Sequence, residues 1–385
     1  MGKQYISTVN AAQAHKSDIV GLSVTDKFTI SVSSDGTAHF WDNQQKEAHN
    51  PTDFVIKKFI NKVGLHHIAT YENVLPDSTI KVVLIAFASF DGSITLNYYL
   101  NDDITTWKEF EDADLKKQYW APGFYKDPES KQDYFVITKS NGASDVFNLN
   151  IKDNSKSDIS ISLEKVGELN ANKSAFPNAL AISPTSDKKV AVGYTNGEVY
   201  IYDLESLKPI YTFHSSDLQV SGASTTSASI PRVIEFSPGG TLLAVARDNQ
   251  SSGSITLYDV KFGENVGTLT TPSHSSKAAV GGFAHSGWIM GLSFDEAGEN
   301  LVSCGFDKCI RVWNLETRER EATITISITD LEDTEHNEQY DKSVASGVSF
   351  IKKGIRGGAG GDKNEGLCVI SFDRGIRWYR EAGGV

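Results

Sequence analysis

The chain has 385 residues and a formal net charge of −12. Hydrophobic residues make up 39% of it, as in a globular protein, and no run of 18 apolar residues could span a bilayer. The acidic balance argues against binding of nucleic acid phosphates by the protein as a whole. The first residues lack the apolar segment of a signal peptide, so we expect a soluble intracellular protein.

Two stretches of the chain share one pattern of His, Ser, Asp and Trp. They are His15, Ser31, Asp35 and Trp41 near the start, and His285, Ser303, Asp307 and Trp313 near the end. In both, the Asp follows the Ser by four residues and the Trp follows the Asp by six. The pattern resembles the WD repeat, a unit of about 40 to 45 residues that forms one four-stranded propeller blade. The resemblance implies that each tetrad is a buried hydrogen-bond chain with a structural role.

Seven positions match the turn residue of these tetrads, and an alternating apolar segment typical of a strand follows each one. They are Asp35, Asp91, Asn141, Asn196, Asp248, Asp307 and Asp373. Their spacing exceeds the nominal repeat, so we expect loops at residues 127–133, 150–158, 215–229, 272–282 and 330–343. The last of these includes a run in which six of twelve residues are acidic.

These repeats predict an all-β protein, a seven-bladed WD-repeat β-propeller that forms a single domain over residues 1–385. Only one strand follows Asp373, so the last blade lacks its outermost strand. The apolar segment at residues 4–10 is the one left to supply it. We therefore expect the N-terminal strand to close the ring, which also removes free sheet edges.

No motif in the chain predicts catalysis. The glycine-rich stretch Lys352–Lys363 does not have the spacing of a Walker loop, and no GxSxG is present. His66 and His67 are adjacent on a predicted strand, where side chains point to opposite faces and cannot easily share a metal. Cys304, Cys309 and Cys368 lack the spacing of a zinc site, so we expect free thiols in a reducing compartment. We predict no catalytic residue, metal or cofactor.

Partner-binding residues are predicted from the equivalent positions of the blades. The residue that precedes the inner strand of each blade, and the residue before each tetrad turn, lie in WD-repeat proteins on the narrower face beside the channel, here called the top face. The candidates are Asp18, Leu65, His66, Phe90, Trp120, Phe176, Ile230, Arg247, Trp288 and Phe306. Exposed clusters rich in aromatic residues usually mark partner surfaces. The alternative for each ring is that it folds inward and seals the channel.

Several strings are similar to one family, the WD-repeat subunits of superkiller (Ski) complexes. They include KVGLHHI from Lys62, PSHSSKAAVGGFAHSGWIMGLSF from Pro272, and the ending DRGIRWYREAGGV. The resemblance is dense from about residue 230 to the end and sparse from about 100 to 175.

This resemblance implies a scaffold that binds a tetratricopeptide-repeat subunit, in an assembly that also contains an RNA helicase. That assembly feeds the cytoplasmic 3′-to-5′ RNA exosome and serves mRNA turnover, nonstop decay and antiviral defence. In some lineages the subunit is similar to a meiotic factor that binds a topoisomerase-like protein, which adds a nuclear location to the cytoplasmic one. The alternatives are a WD-repeat adaptor of another complex, such as a ubiquitin ligase or a G-protein-like module, a propeller enzyme, and an RNA-binding protein. Scattered lysine pairs argue against RNA binding, and we expect no membrane contact.

Overall fold

The structure is a computed structural model that describes residues 2–45, 49–76, 78–110, 115–116, 118–129, 131–155, 158–170, 175–214, 229–249, 251–271, 283–331, 342–356 and 366–382. Within these residues, 28 strands form seven four-stranded antiparallel sheets. The inner strand of each sheet packs against the inner strand of the next, and the last packs against the first. The prediction of a seven-bladed all-β propeller is therefore confirmed.

Strand β1 (Tyr5–Ala11) precedes the first blade. The strands of blades 1 to 4, in chain order from the channel outwards, are β2 (Ile19–Val24), β3 (Phe28–Ser33), β4 (Thr37–Asp42) and β5 (Ile56–Phe59); β6 (Leu65–Val74), β7 (Lys81–Ser89), β8 (Ile94–Leu100) and β9 (Asp103–Phe110); β10 (Tyr119–Tyr125), β11 (Asp133–Lys139), β12 (Ser144–Ser155) and β13 (Asp158–Leu169); and β14 (Pro177–Ile182), β15 (Lys189–Tyr194), β16 (Val199–Asp203) and β17 (Lys208–Phe213).

Blades 5 to 7 consist of β18 (Pro231–Phe236), β19 (Leu242–Asn249), β20 (Ser252–Asp259) and β21 (Glu264–Leu269); β22 (Ile289–Phe294), β23 (Asn300–Gly305), β24 (Cys309–Asn314) and β25 (Arg320–Thr325); and β26 (Ala345–Ile351), β27 (Gly366–Ser371) and β28 (Ile376–Glu381). The 3₁₀ turns Pro51–Asp53 and Ile328–Asp330 lie in connections.

The ring closes through β1, which pairs antiparallel with β28 as the fourth strand of blade 7. The pairing runs from Tyr5 opposite Glu381 to Ala11 opposite Ile376. The predicted closing strand is thus in place, one residue later than expected. It joins the two ends of the described chain in one sheet.

Strand direction defines two faces of the ring. The connections between blades and the turns between the second and third strands lie at one end, the top face. The turns between the first and second strands and between the third and fourth strands lie at the other end, the bottom face. Between neighbouring blades lie seven apolar clusters, each built from side chains of two adjacent sheets. Because alternate strand residues point into these clusters, the ring is held together by packing between blades.

Every inner strand contains an irregularity near its top end. In all seven blades, the pairing of the first and second strands shifts by one residue after the first residue of the inner strand. Such a bulge places one extra residue on the inner strand and turns its side chain out of the regular alternation. Residues at the bulges include His66, Trp120 and Arg232. These three side chains take part in ring contacts on the top face.

Two connections differ from the sequence-based expectation. The loop expected at residues 150–158 is wrong for its described residues, because β12 and β13 continue as a long hairpin from Asn150 opposite Ser162 to Ser155 opposite Asp158. Asp248 is not a turn residue either, since β19 runs on to Asn249 and its turn lies beyond that residue. The loop expected at residues 272–282, residues 215–228 of the loop expected at 215–229, and most of the acidic run lie outside the described residues.

Candidate functional site on the top face

The tetrad of blade 6 forms an unbroken hydrogen-bond chain. Trp313 Nε1 donates to Ser303 Oγ at 2.8 Å, and Ser303 Oγ lies 2.7 Å from His285 Nε2. His285 Nδ1 lies 2.9 Å from Asp307 Oδ1. Burial lowers the pKa of His285, and the bond to Asp307 only partly opposes this. The imidazole is therefore neutral at pH 7.

The negative charge of the Asp307 carboxylate is stabilised by neighbouring hydrogen-bond donors. Burial acts to raise its pKa, but bonds from His285 and from Arg311 at 2.6 Å outweigh burial and hold it below the usual range. The tetrad of blade 1 is looser at the same point. Ser31 Oγ joins Trp41 and His15 at 2.9 and 2.8 Å, whereas His15 Nδ1 is 3.5 Å from Asp35 Oδ2. These groups satisfy one another inside the fold, in agreement with a structural role.

Blade 7 contains a buried network that the sequence pattern did not indicate. Arg377 Nη2 donates to Asp373 Oδ2 at 2.7 Å and to the Ser327 carbonyl at 2.8 Å. Ser343 Oγ donates to the same carboxylate oxygen at 2.8 Å. Arg377 occupies the position of Arg311 in blade 6 and ties the connection between blades 6 and 7 to the last blade. The signal was visible as Asp followed four residues later by Arg, which also occurs at Asp307 and Arg311.

On the top face, the rings of blades 2 to 4 form one contiguous group, here called the first aromatic cluster: His66, Phe90, Trp120 and Phe176. His66 stacks on Trp120 with ring centroids 4.1 Å apart, and Phe90 lies 4.9 Å from His66. Phe176 meets Trp120 edge to face with ring centroids 5.1 Å apart. Burial lowers the pKa of His66 to about 4, so the cluster is uncharged at neutral pH. The exposed fraction of Phe90 is 54%, and Trp120 and Phe176 are half-buried.

The second aromatic cluster lies across blades 5 to 7 and consists of Arg232, Trp288, Phe306 and Phe372. The Arg232 guanidinium lies 4.8 Å from the Trp288 ring centroid and binds Asp248 through Nε and Nη2. Phe306 contacts Trp288 at 5.6 Å and Phe372 at 6.0 Å. Trp288 and Phe306 are 38% and 40% exposed. Sequence reasoning missed Arg232, although it lies two residues after Ile230.

The structure therefore brings six of the ten predicted residues into two groups. Asp18 and Ile230 belong to neither group, because neither residue takes part in the contacts that define the two clusters. Asp18 is exposed before β2, and its carbonyl accepts from the Ser34 N–H at 3.1 Å. Ile230 is half-buried before β18.

The first aromatic cluster contains an unpaired hydrogen-bond donor. Trp120 Nε1 is buried and has no hydrogen-bond partner among the described residues.

Leu65 and Arg247 do not reach the surface, since both are fully buried. Leu65 is the first paired residue of its inner strand, a position that is also buried at Ile19 and Ile289. Arg247 lies inside the lengthened β19, where its Nη1 donates to the carbonyls of Gly197 and Ser229. Neither side chain is available to a partner in this conformation.

His66 and His67 do not point apart as the strand pattern predicts. The β-bulge of this strand lies between Leu65 and His67 and breaks the regular alternation at His66. The Nδ1 atoms of His66 and His67 therefore lie only 2.6 Å apart. The described residues contain no group of three or more side chains that could hold a metal. Burial raises the pKa of Cys304 and Cys368 well above its usual range, and all three cysteines are free. No helix in the described part of the chain is long and apolar enough to cross a membrane.

The closed ring of seven blades, with its tetrads and its aromatic top face, defines a WD-repeat β-propeller, a class of protein-interaction scaffold. A family model described as "WD domain, G-beta repeat" matches residues 278–314. The chain is 36% identical to the antiviral protein SKI8 of Saccharomyces cerevisiae over the full length of both chains. It therefore belongs to the family of that protein.

More distant relatives share less of the chain. The meiotic recombination protein rec14 of Schizosaccharomyces pombe is 24% identical, over 69% of this chain and 74% of that protein. A striatin homolog of Dictyostelium discoideum is 23% identical, over 49% of this chain and 20% of its own.

Proposed function

We propose that the protein is a non-catalytic scaffold subunit of a Ski complex, which assists the cytoplasmic RNA exosome in 3′-to-5′ mRNA decay and antiviral defence. The observation that carries this proposal is the full-length match to an antiviral protein. The partners are a tetratricopeptide-repeat subunit and, through the assembly, an RNA helicase. The acidic net charge supports contact with proteins, with RNA handled by other subunits.

We place the partner site on the top face. The two aromatic clusters expose rings that neighbouring side chains already hold in place. Binding a partner therefore costs little conformational entropy of these side chains. Both clusters are uncharged as units, because His66 is neutral and Arg232 is paired with Asp248. A short segment with an aromatic or aliphatic anchor fits these surfaces, and Asp18 is available to a basic side chain of the same segment.

The experiment is copurification of the tagged protein from its own cells, followed by titration of the purified tetratricopeptide-repeat subunit by calorimetry. Recovery of that subunit together with a helicase is expected. Replacing Trp288 or Trp120 by Ala should weaken binding by at least about 2 kcal/mol. Phe262→Ala is the matched control, since Phe262 is 63% exposed on the bottom face. A cullin adaptor in place of the helicase, or unchanged affinity of both Trp variants, would contradict the proposal.

A meiotic role is the second candidate function, and the match to rec14 favours it. In that role the same top face would bind a topoisomerase-like protein in the nucleus. A Trp288→Ala strain that loses both RNA-decay and recombination functions would support one shared site. Loss of only one function would place the two partners on different surfaces.

A further inference from the structure

The central channel opens on the bottom face into a cavity of about 270 Å³. Residues of blades 1, 2, 5, 6 and 7 form its wall, so the cavity is the lower mouth of the channel. Its volume equals that of about nine water molecules at about 30 Å³ each, so a side chain that enters from the bottom face has room beside solvent. The cavity lies on the face opposite the two aromatic clusters.

Glu235 is a carboxylate of this channel that has no cation beside it. It lies on the inner strand β18, which pairs with β19 on one side and borders the channel on the other, and it is half-buried. Its Oε1 accepts from the Phe294 N–H at 3.4 Å, and Phe294 is part of the cavity wall. The described residues give Oε2 no hydrogen bond and no ion pair. The carboxylate thus has an unused acceptor at the edge of the cavity.

The fold itself does not require a carboxylate at this position. The residue equivalent to Glu235 is Ser293 in blade 6, and Ser23 and Ser349 in blades 1 and 7. Ser293 makes the same contact with the next blade, because its Oγ accepts from the Phe350 N–H at 3.1 Å. In contrast, burial raises the pKa of Glu235 to about 8, since no nearby cation compensates for the lost water. Blade 5 therefore has a costly ionisable group where a hydroxyl suffices for the fold.

The rim of the cavity is acidic. Its wall contains four carboxylates and one lysine, namely Asp26, Glu72, Asp295, Glu296 and Lys352. Lys81 binds Asp26 and Glu72 at 2.9 and 3.1 Å. Lys352 lies 4.0 Å from Glu296. These two lysines do not balance the four carboxylates, so the rim keeps a negative potential that attracts cations.

We infer that this lower mouth binds the basic side chain of a partner segment, with its charged group on Glu235. Such a side chain has an apolar stem that can lie along Phe294 and Phe350 in the wall while the charged end reaches the carboxylate. A guanidinium fits best, because it donates two parallel hydrogen bonds to a carboxylate and is weakly hydrated. The site is independent of the proposed top-face function, and neither depends on the other.

The test is calorimetric titration of the full chain with the acetylated peptide amide Gly-Ser-Arg-Ser-Gly. The same peptide with citrulline in place of arginine keeps the shape and removes the charge. The arginine peptide should bind in a saturable way, and the citrulline peptide should bind at least about tenfold more weakly. Because binding ionises Glu235, titrations at pH 7.5 in phosphate and in Tris should also show the release of up to about one proton per peptide.

Glu235→Gln should abolish the proton release and weaken binding of the arginine peptide at least about tenfold. If that variant does not fold, Glu235→Ser replaces it, since serine occurs at the equivalent position of blade 6. Glu205→Gln is the matched control, because Glu205 is an exposed carboxylate of the bottom face and its loss changes the net charge equally. This control should keep the affinity within about twofold.

Three results would overturn the inference. They are equal binding of the citrulline peptide, unchanged affinity of the Glu235 variant, and an equal loss of affinity in Glu205→Gln. Each of these results would leave the top-face proposal intact, because the peptide titration does not involve the aromatic clusters.

Discussion

The tetrad of blade 6 can be tested by removing one oxygen atom, with Ser303→Ala. The Ser303 side chain is fully buried, and its hydroxyl joins Trp313 Nε1 and His285 Nε2 at 2.8 and 2.7 Å. Alanine retains the backbone and the β-carbon, so no large cavity forms. What changes is that two buried groups, the Trp313 indole N–H and the His285 Nε2, lose their hydrogen-bond partner.

The expected loss follows from these two groups. Leaving a buried polar group unpaired costs about 1 to 3 kcal/mol, so two groups with partial relaxation should cost about 3 kcal/mol of unfolding free energy. Ser144→Ala is the matched control, because Ser144 is equally buried and its hydroxyl has no partner among the described residues. That variant removes a buried hydroxyl that has no partner among the described residues, so it should leave the unfolding free energy unchanged or raise it.

Urea unfolding followed by tryptophan fluorescence measures both variants, provided that the slope of unfolding free energy against urea stays constant. Calorimetry of the same variants checks that the transition remains a single one. If Ser303→Ala is as stable as Ser144→Ala, the hydroxyl does not join the two partners, and the hydrogen-bond account of the tetrad is refuted.

Three further predictions concern stability. Deleting residues 2–11 removes β1 and should lower the unfolding free energy by at least about 4 kcal/mol, since each lost strand hydrogen bond contributes about 1 kcal/mol; an unchanged melting temperature would refute closure by β1. Burial raises the pKa of Glu235 to about 8, so wild-type stability should fall as pH rises from about 4.5 to 8. Glu235→Gln should gain about 2 kcal/mol over wild type across this range; parallel pH profiles would contradict it. Asp307 has a lowered pKa, so the stability that it contributes is present above pH 4 and lost in stronger acid. Asp307→Asn should thus be about 2 kcal/mol less stable at pH 7, and this difference should shrink as the pH falls below 4; a constant difference would exclude ionic stabilisation.

Much of the fold could be predicted from local patterns. The spacing of Ser31, Asp35 and Trp41 recurs because each blade repeats the same strands and turn, and alternating apolar segments mark strands with two packed faces. The closing strand followed from counting, since the last blade was one strand short. In blade 3 the spacing between repeats predicted a loop where β12 and β13 continue as strands, because the length of this hairpin depends on packing against blade 2.

The candidate site was less predictable, because a single residue of register decides burial. Leu65 was placed on the surface by an alignment that is off by one in blade 2, where Gly64 is the position equivalent to Trp288. Arg247 was taken as a rim residue because the extra length of β19 has no local signal. The contact of Arg232 with Trp288 joins two blades, so no pattern within one repeat reports it.

The sequence by itself therefore determined the blade count, the two tetrads, the closing strand and the family resemblance, since these depend on repeats and spacing within the chain. Only the tertiary structure decided which rings meet at the top face and which candidates are buried. Bulges and contacts between blades set those features. They depend on how one sheet packs against the next, and the order of residues along a strand does not encode that directly.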